Sequence, residues 1–114
     1  MEFKDTTIIV NRNGMGEADA ELQSKLIYNY FRLLDESDTL PGVICFYAEG
    51  IFLVVEGSPV LESLRSMEEK GVRLIVCGTC LNFYGKADQL AVGILGGMTD
   101  IIEAQRLADK AITI

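Results

Sequence analysis

The chain has 114 residues, of which 49% are hydrophobic and 24% are charged, and its formal net charge is −7. Its length predicts a single domain over residues 1–114, and its apolar content excludes a disordered chain. The acidic balance excludes a nucleic-acid surface, which requires clustered lysine and arginine. The sequence contains no histidine, so it lacks the commonest general base and the commonest metal ligand.

The compartment is predicted from the start of the chain and from its cysteines. Residues 1–10 include acidic side chains and lack the apolar stretch and cleavage site of a signal peptide. No apolar run approaches the length that spans a bilayer. Three cysteines are an odd number and do not suggest a disulfide framework. We therefore expect a cytoplasmic protein that is not attached to a membrane.

The first half of the chain predicts two buried strands joined by a long helix. The apolar, β-branched run from Thr6 to Asn11 predicts the first strand, and the run from Gly42 to Ala48 predicts the second. Apolar residues at helical spacing predict a helix from Asp19 to Leu34. The run from Ile51 to Val55 fits either an extra strand or a helical turn.

The second half predicts three more strands and three helices. Ser58 as N-cap, Pro59 at the first helical position and Gly71 after the last turn delimit one helix. The remaining predicted elements are a strand from Val72 to Cys77, a short helix from Gly78 to Tyr84, a short strand from Ala91 to Leu95, a helix from Asp100 to Ala108 capped by Thr99, and a strand from Ala111 to Ile114.

This alternation predicts a three-layer α/β fold. Nearly continuous apolar strands between amphipathic helices indicate a mostly parallel sheet of about five strands with helices on both faces, in a flavodoxin-like arrangement. Ligands of such sheets bind beyond the carboxyl ends of the strands. The loops that follow the strands are therefore where we expect the functional site.

Two thiols lie at one of these strand ends. The tetrapeptide Cys77-Gly78-Thr79-Cys80 follows a predicted strand and begins a predicted helical turn. Free N–H groups and the helix dipole at such a position favour an anion, and the thiolate is the nucleophilic form of cysteine. We therefore predict catalytic roles for Cys77 and Cys80, with the N–H groups of Gly78 and Thr79 stabilising an accessible Cys77 thiolate.

Other interpretations of the cysteines stay open. Both thiols can simply fill small buried sites, because free cysteine is among the most buried residue types. Structural zinc requires four Cys or His ligands, so Cys77, Cys80 and Cys45 form a zinc site only if subunits share it. We predict no metal and no cofactor. Cys45 lies within a buried strand and is predicted to belong to the core.

Polar and glycine residues after the first two strands are candidate binding residues. Asn11, Asn13 and Gly14 follow the first strand, and Glu49 follows the second. A dinucleotide fingerprint would require a third glycine where Asp19 stands, so a tight turn is favoured over a phosphate cradle. We predict that these four residues line the pocket over Cys77, which for the first loop requires that the first and third strands are neighbours.

The segment VRLIVCGTCLNFYG, from Val72 to Gly85, resembles the DsrE/DsrF-like family of small α/β proteins linked to sulfur relay and sulfur oxidation. The segments IIVNRNGMG (8–16), FYAEGI (46–51) and EGSPVLESL (56–64) are similar to the DsrE-like domain of YedF-type selenium-metabolism proteins and occur in the same order. YedF-type proteins usually carry a TusA-like sulfur-carrier domain ahead of this one. We see no such domain, and expect either a stand-alone relative or a fragment of a larger protein.

The resemblance implies a function for the thiols. Gly85 matches a family glycine that follows the active thiol, so the active thiol corresponds to Cys77, while Cys80 corresponds to a second thiol found in only some relatives. The family's active thiol takes up sulfane sulfur as a persulfide and passes it on. Members assemble as trimers or hexamers, which implies a homo-oligomer here and a TusA-like carrier protein as partner.

These observations lead to one principal functional hypothesis and two alternatives. The protein is predicted to be a sulfurtransferase-like carrier of sulfur or selenium that holds its cargo as a persulfide on Cys77. Attack by Cys80 would release the cargo and leave a disulfide. The alternatives are a non-catalytic oligomeric module that binds a small molecule or a protein, and a redox switch formed by the two thiols.

Overall fold

The protein is a five-stranded parallel sheet flanked by four α-helices, as seen in a computed structural model that describes residues 2–114. The strands are β1 (Thr6–Val10), β2 (Val43–Phe46), β3 (Arg73–Cys77), β4 (Ile94–Gly96) and β5 (Lys110–Thr113). The helices are α1 (Ala20–Glu36), α2 (Leu61–Glu69), α3 (Gly78–Phe83) and α4 (Met98–Leu107). Short 3₁₀ turns span Phe3–Asp5, Ala48–Leu53 and Ala87–Gln89.

The strand order, β4-β3-β2-β1-β5, distributes the helices unequally over the two faces of the sheet. The chain steps in one direction from β1 to β4, and right-handed crossovers then place α1, α2 and α3 on the same face. It returns across the sheet to pair β5 with β1, which places α4 on the other face. We call these the three-helix face and the α4 face. The predicted α/β fold with helices on both faces is confirmed.

The three-helix face holds the larger part of the core. Alternate residues of the central strands point to this face and meet apolar side chains of α1, α2 and α3. Fully buried members include Ile8, Phe46, Leu74, Phe31 and Met67.

The α4 face holds a smaller buried cluster. Its members are Ile9, Cys45, Ile75 and Cys77 on the strands, with Ile101 and Ala104 on α4. The Thr7 hydroxyl donates a hydrogen bond of 3.0 Å to the carbonyl oxygen of Ala104 and so fixes α4 to β1.

Two predicted helix starts are wrong. The Ser58 hydroxyl accepts the N–H of Val60 and closes a turn ahead of α2, which begins only at Leu61. For α4 the N-cap is Gly97, not Thr99, because the Gly97 N–H donates to the side chain of Asp100. The predicted end of α2 is confirmed, since Gly71 follows the C-cap with a positive φ of 102°.

Three further sequence predictions concern strand neighbours, the ambiguous run and the membrane. Because β2 lies between them, β1 and β3 are not neighbours. Residues 51–53 belong to a 3₁₀ turn, which decides the ambiguity of that run in favour of helical structure. Within residues 2–114, no helix has the length and apolar character needed to cross a membrane.

Candidate thiol site

Cys77 is the last residue of β3 and the N-cap of α3, as its position in the sequence predicts. Its side chain points to the α4 face and packs with the buried cluster there. Only 2% of the residue is exposed in the isolated chain. The predicted helix start is therefore confirmed, whereas the predicted accessibility of Cys77 is wrong, because α4 covers this end of β3.

Cys80 lies one turn further on, in α3, and is half-buried. It packs against the core clusters of both faces, so it occupies the seam between them. Its Sγ atom is 3.1 Å from the Sγ of Cys77, with the Cys80 S–H as donor. The sequence prediction that Cys77 and Cys80 form one site is thus matched by direct contact between their sulfur atoms.

The backbone after β2 completes the hydrogen bonding of the pair. The Ala48 N–H donates to Cys80 Sγ at 3.1 Å. A chain of two hydrogen bonds therefore runs from Ala48 to Cys80 and on to Cys77. The two sulfur atoms and this backbone N–H thus form one connected hydrogen-bonded group.

Ionisation of Cys80 is opposed by its surroundings. Burial raises the pKa of the Cys80 thiol, and the S–H that it donates to Cys77 raises it further. The N–H of Ala48 acts in the opposite direction and lowers that pKa. Cys80 therefore favours the protonated form in the resting pair, with its proton directed at Cys77.

Ala48 adopts a strained backbone conformation. Its φ is +51°, in the left-handed region that costs a residue with a Cβ about 1 kcal/mol or more. Two contacts hold it there. The Tyr47 N–H donates to the Val10 carbonyl, and a Cβ on Gly50 would lie 2.2 Å from the same oxygen. The end of β1 thereby fixes the loop that presents the Ala48 N–H to Cys80.

Sequence reasoning missed Ala48, because its contribution is a backbone N–H and no side chain marks it. A positive φ is usual for glycine and uncommon for alanine, so the sequence carries no signal of this conformation. The neighbouring Glu49, which was predicted to line the site, is exposed beside it. The predicted role of Glu49 in lining the site stays a prediction.

The predicted binding residues of the first loop lie less close to the thiols. Asn11 follows β1 directly, and its side-chain Oδ1 atom is buried without a hydrogen-bond partner among residues 2–114. Asn13 is exposed. A Cβ on Gly14 would lie 2.6 Å from the Cβ of Gln23, so this glycine permits close packing of the loop on α1. No hydrogen bond in the described part of the chain joins this loop to either sulfur.

Gly78 and Thr79, also predicted for the site, have different surroundings. A Cβ on Gly78 would approach the Leu95 side chain to 3.3 Å, so glycine lets α3 begin close to β4. Thr79 is exposed between the two cysteines.

Cys45 is fully buried. Burial raises the pKa of its thiol to about 11, although the positive charge of Arg73 acts to lower that pKa. It is part of the core, as the sequence predicts.

Neither thiol lines the cleft at the opposite edge of the sheet. This cleft has a volume of about 130 Å³ and lies near the amino-terminal ends of the strands, where Thr7, Arg73 and Ala104 contribute to its wall. This cleft is therefore not the pocket that the sequence predicts over Cys77. At the carboxyl ends of the strands, Cys77 is buried and Cys80 is half-buried in the isolated chain.

Comparison with known proteins places the chain in a family. The chain matches the DsrE/DsrF-like family over residues 4–114. It belongs to that family. No curated protein matches in a sequence search. The similarity to YedF-type proteins is not tested by these matches and stays a prediction.

Comparison with solved structures confirms the fold of this DsrE/DsrF-like protein and does not extend to its function. A protein of unknown function from Methanobacterium thermoautotrophicum, MTH1491, has a TM-score of 0.65 at 18% identity, with 96% of this chain and 97% of that one covered. The ychN protein from E. coli has a TM-score of 0.60 at 15% identity, with full coverage of both chains. BT1422 from Bacteroides thetaiotaomicron, a protein of unknown function, has a TM-score of 0.64 at 15% identity, with 100% of this chain and 98% of that one covered.

Proposed function

We propose that this protein is a sulfurtransferase-like carrier that holds sulfane sulfur, or selenium in its place, as a persulfide on Cys77. The observation that carries the proposal is the contact of 3.1 Å between Cys77 Sγ and Cys80 Sγ, in a pair anchored by the Ala48 N–H. Thiol pairs at this distance can exchange sulfur without a cofactor. Membership of the DsrE/DsrF-like family supports a role in sulfur relay.

Burial of Cys77 is compatible with storage. A persulfide is lost by attack of external thiols, and thiol exchange depends on access to the sulfur. At 2% exposure, Cys77 is shielded from such attack by the α4 cluster. The hydrogen bond from Cys80 stabilises an anionic sulfur at this position.

The experiment is a retention assay. The full chain is incubated with glutathione persulfide, freed of donor by gel filtration, alkylated and weighed by mass spectrometry. We expect the wild type and the control Cys45→Ser to retain one sulfur atom per chain, and Cys77→Ser to retain none. Equal retention by wild type and Cys77→Ser would contradict the assignment, and no retention by the wild type would contradict the function.

We further propose that the protein is a homo-oligomer, a trimer or a hexamer. Large apolar side chains are exposed on the α4 face, and we call this set the α4 ridge: Ile94, Met98, Ile102 and Leu107. Exposed apolar surface of this kind is typical of subunit contacts.

Light scattering on a gel-filtration column tests this assembly. We expect the wild type to elute as a trimer or hexamer, and Ile102→Glu to dissociate, since Ile102 is 53% exposed on α4 in the isolated chain. Leu22→Glu is the matched control, because Leu22 is 48% exposed on α1, on the opposite face. A monomeric wild type would refute the proposal.

The same burial of Cys77 favours a second candidate, a non-catalytic oligomeric module that binds a small molecule or a protein. In that case both thiols serve packing, and neither exchanges sulfur. The retention assay described above discriminates the two candidates. A carrier retains one sulfur atom on Cys77, whereas a packing role predicts that neither Cys77 nor the half-buried Cys80 gains sulfur.

A further inference from the structure

The two thiols of the pair differ in how easily a donor can reach them. Cys80 is half-buried and lies on the first turn of α3, next to the exposed Thr79. Cys77 is 2% exposed, beneath α4. A persulfide donor approaching from solvent therefore meets the sulfur of Cys80 before that of Cys77.

Cys80 has a backbone donor for the charge that develops on its sulfur during an exchange. Burial and the S–H that it donates to Cys77 keep Cys80 protonated at rest, whereas the Ala48 N–H stabilises negative charge on the sulfur as it reacts. The two sulfur atoms are in direct contact at 3.1 Å. The strain at Ala48 is maintained by Val10 and Gly50, so this N–H does not depend on the position of a mobile side chain.

The distance between the thiols also allows a sulfur atom to pass from one to the other. A sulfur–sulfur bond is about 2.0 Å long. A sulfane sulfur bound to Cys80 Sγ, which itself lies 3.1 Å from Cys77 Sγ, therefore comes within reach of Cys77 after a side-chain rotation. Cys45 offers no alternative route, because it is fully buried on β2.

We propose that Cys80 is the loading thiol and Cys77 the storing thiol, so that sulfur reaches Cys77 only through Cys80. This proposal rests on the carrier function and specifies its order of steps. It also changes the role of Cys80, which the sequence predicts to act only in release.

Each step balances without an oxidant or a reductant. In the first, Cys80 Sγ attacks the outer sulfur of a donor R–S–SH, the new Cys80–sulfur bond forms, and the bond between R–S and the outer sulfur breaks. R–S leaves with the electron pair and takes the proton of Cys80. In the second, Cys77 Sγ attacks the outer sulfur of the Cys80 persulfide, and Cys80 leaves with the electron pair and the proton of Cys77. Release to an acceptor thiol follows the reverse order.

A time-resolved loading experiment on the full chain tests this order. The wild type, Cys80→Ser, Cys77→Ser and the control Cys45→Ser are mixed with glutathione persulfide, quenched with an alkylating reagent at intervals and digested with trypsin. Cleavage after Arg73 and Lys86 leaves both thiols in one peptide, residues 74–86. Fragment ions that end between the cysteines assign the added sulfur to one of them.

We expect the added sulfur of the wild type to appear first on Cys80 and later on Cys77. Cys80→Ser is expected to load at least about ten-fold more slowly than the wild type, because access limits the exchange. Cys77→Ser is expected to load Cys80 at the wild-type initial rate and to lose the sulfur after the donor is removed.

Two outcomes would overturn the order while the carrier function stands. One is loading of Cys80→Ser at the wild-type rate, and the other is first appearance of sulfur on Cys77 in the wild type. The wild-type time course needs no substitution, so it decides the order even if a variant fails to fold. Failure of the wild type to gain any sulfur would instead refute the carrier function itself.

Discussion

The two faces of the sheet differ in how completely they are covered. Three helices cover one face, where Phe31, Phe46 and Met67 are fully buried. On the other face α4 alone packs on four buried strand residues, and the α4 ridge beside them is exposed. This difference indicates that the three-helix face supplies most of the stability, while the α4 face holds Cys77, which we propose as the storing thiol, and the surface that we propose for a second copy.

The thiol pair lies at the boundary between these faces. Cys77 belongs to the cluster under α4, whereas Cys80 contacts the clusters of both faces. A site at this boundary is supported on one side by the three-helix face, and its other side is covered by α4 alone. Three predictions test this contrast, in order of decreasing effect.

The largest effect is expected on the three-helix face. Phe31 is fully buried and its ring lies 6.4 Å from that of Phe46, centroid to centroid. Phe31→Ala leaves a cavity there, and we expect the free energy of unfolding to fall by about 3–5 kcal/mol. Urea denaturation followed by circular dichroism measures the change.

Phe83→Ala is the control for this measurement, because Phe83 is 82% exposed. We expect it to change stability by no more than about 0.5 kcal/mol. If Phe31→Ala cost as little as Phe83→Ala, the three-helix face would not be the main source of stability.

A medium effect is expected at alkaline pH on the α4 face. Burial raises the pKa of Cys45 from 9.0 to about 11 in the folded protein. Below pH 9 the thiol is protonated in both states. As the pH rises towards 11 the unfolded chain loses this proton first, so the folded state loses roughly 2 to 3 kcal/mol of relative stability.

Cys45→Ala isolates this contribution, because every other titrating group is unchanged. We expect the difference in unfolding free energy between the wild type and Cys45→Ala to shift in favour of the variant between about pH 9 and pH 11. A difference that stays constant over this range would show that Cys45 is not as deeply enclosed under α4 as the structure indicates.

The smallest effect compares two adjacent threonines that point to opposite faces. Thr7 donates its hydroxyl hydrogen to Ala104 of α4, whereas the buried Thr6 hydroxyl has no hydrogen-bond partner among residues 2–114. Thr7→Val is expected to cost about 1 kcal/mol, and Thr6→Val to be neutral or stabilising. Equal costs in urea denaturation would contradict the role of Thr7 in holding α4.

The sequence predicts the layered fold well, because the strands are short apolar runs that end in recognisable turn residues. The end of β3 and the start of α3 are such a case, and so the pairing of Cys77 with Cys80 was also predictable. Helix starts were harder to predict, because Ser58 closes a turn with Val60 instead of capping α2. The same hydroxyl can satisfy either arrangement, and tertiary packing decides between them.

The rest of the site depends on contacts between distant segments. The burial of Cys77 follows from where α4 crosses the sheet, more than twenty residues later in the chain. The conformation of Ala48 follows from the contact of Gly50 with the end of β1. Neither contact leaves a local pattern, which is why an accessible Cys77 was predicted and Ala48 was not.

The pairing of β5 with β1 has a consequence for synthesis on the ribosome. One edge of β1 stays unpaired until residues 110–113 emerge, and the α4 face stays bare until residues 98–107 do. An unpaired strand edge beside an uncovered apolar face is a template for aggregation. Slow translation of residues 98–113 would therefore lengthen the interval in which the nascent chain needs a chaperone.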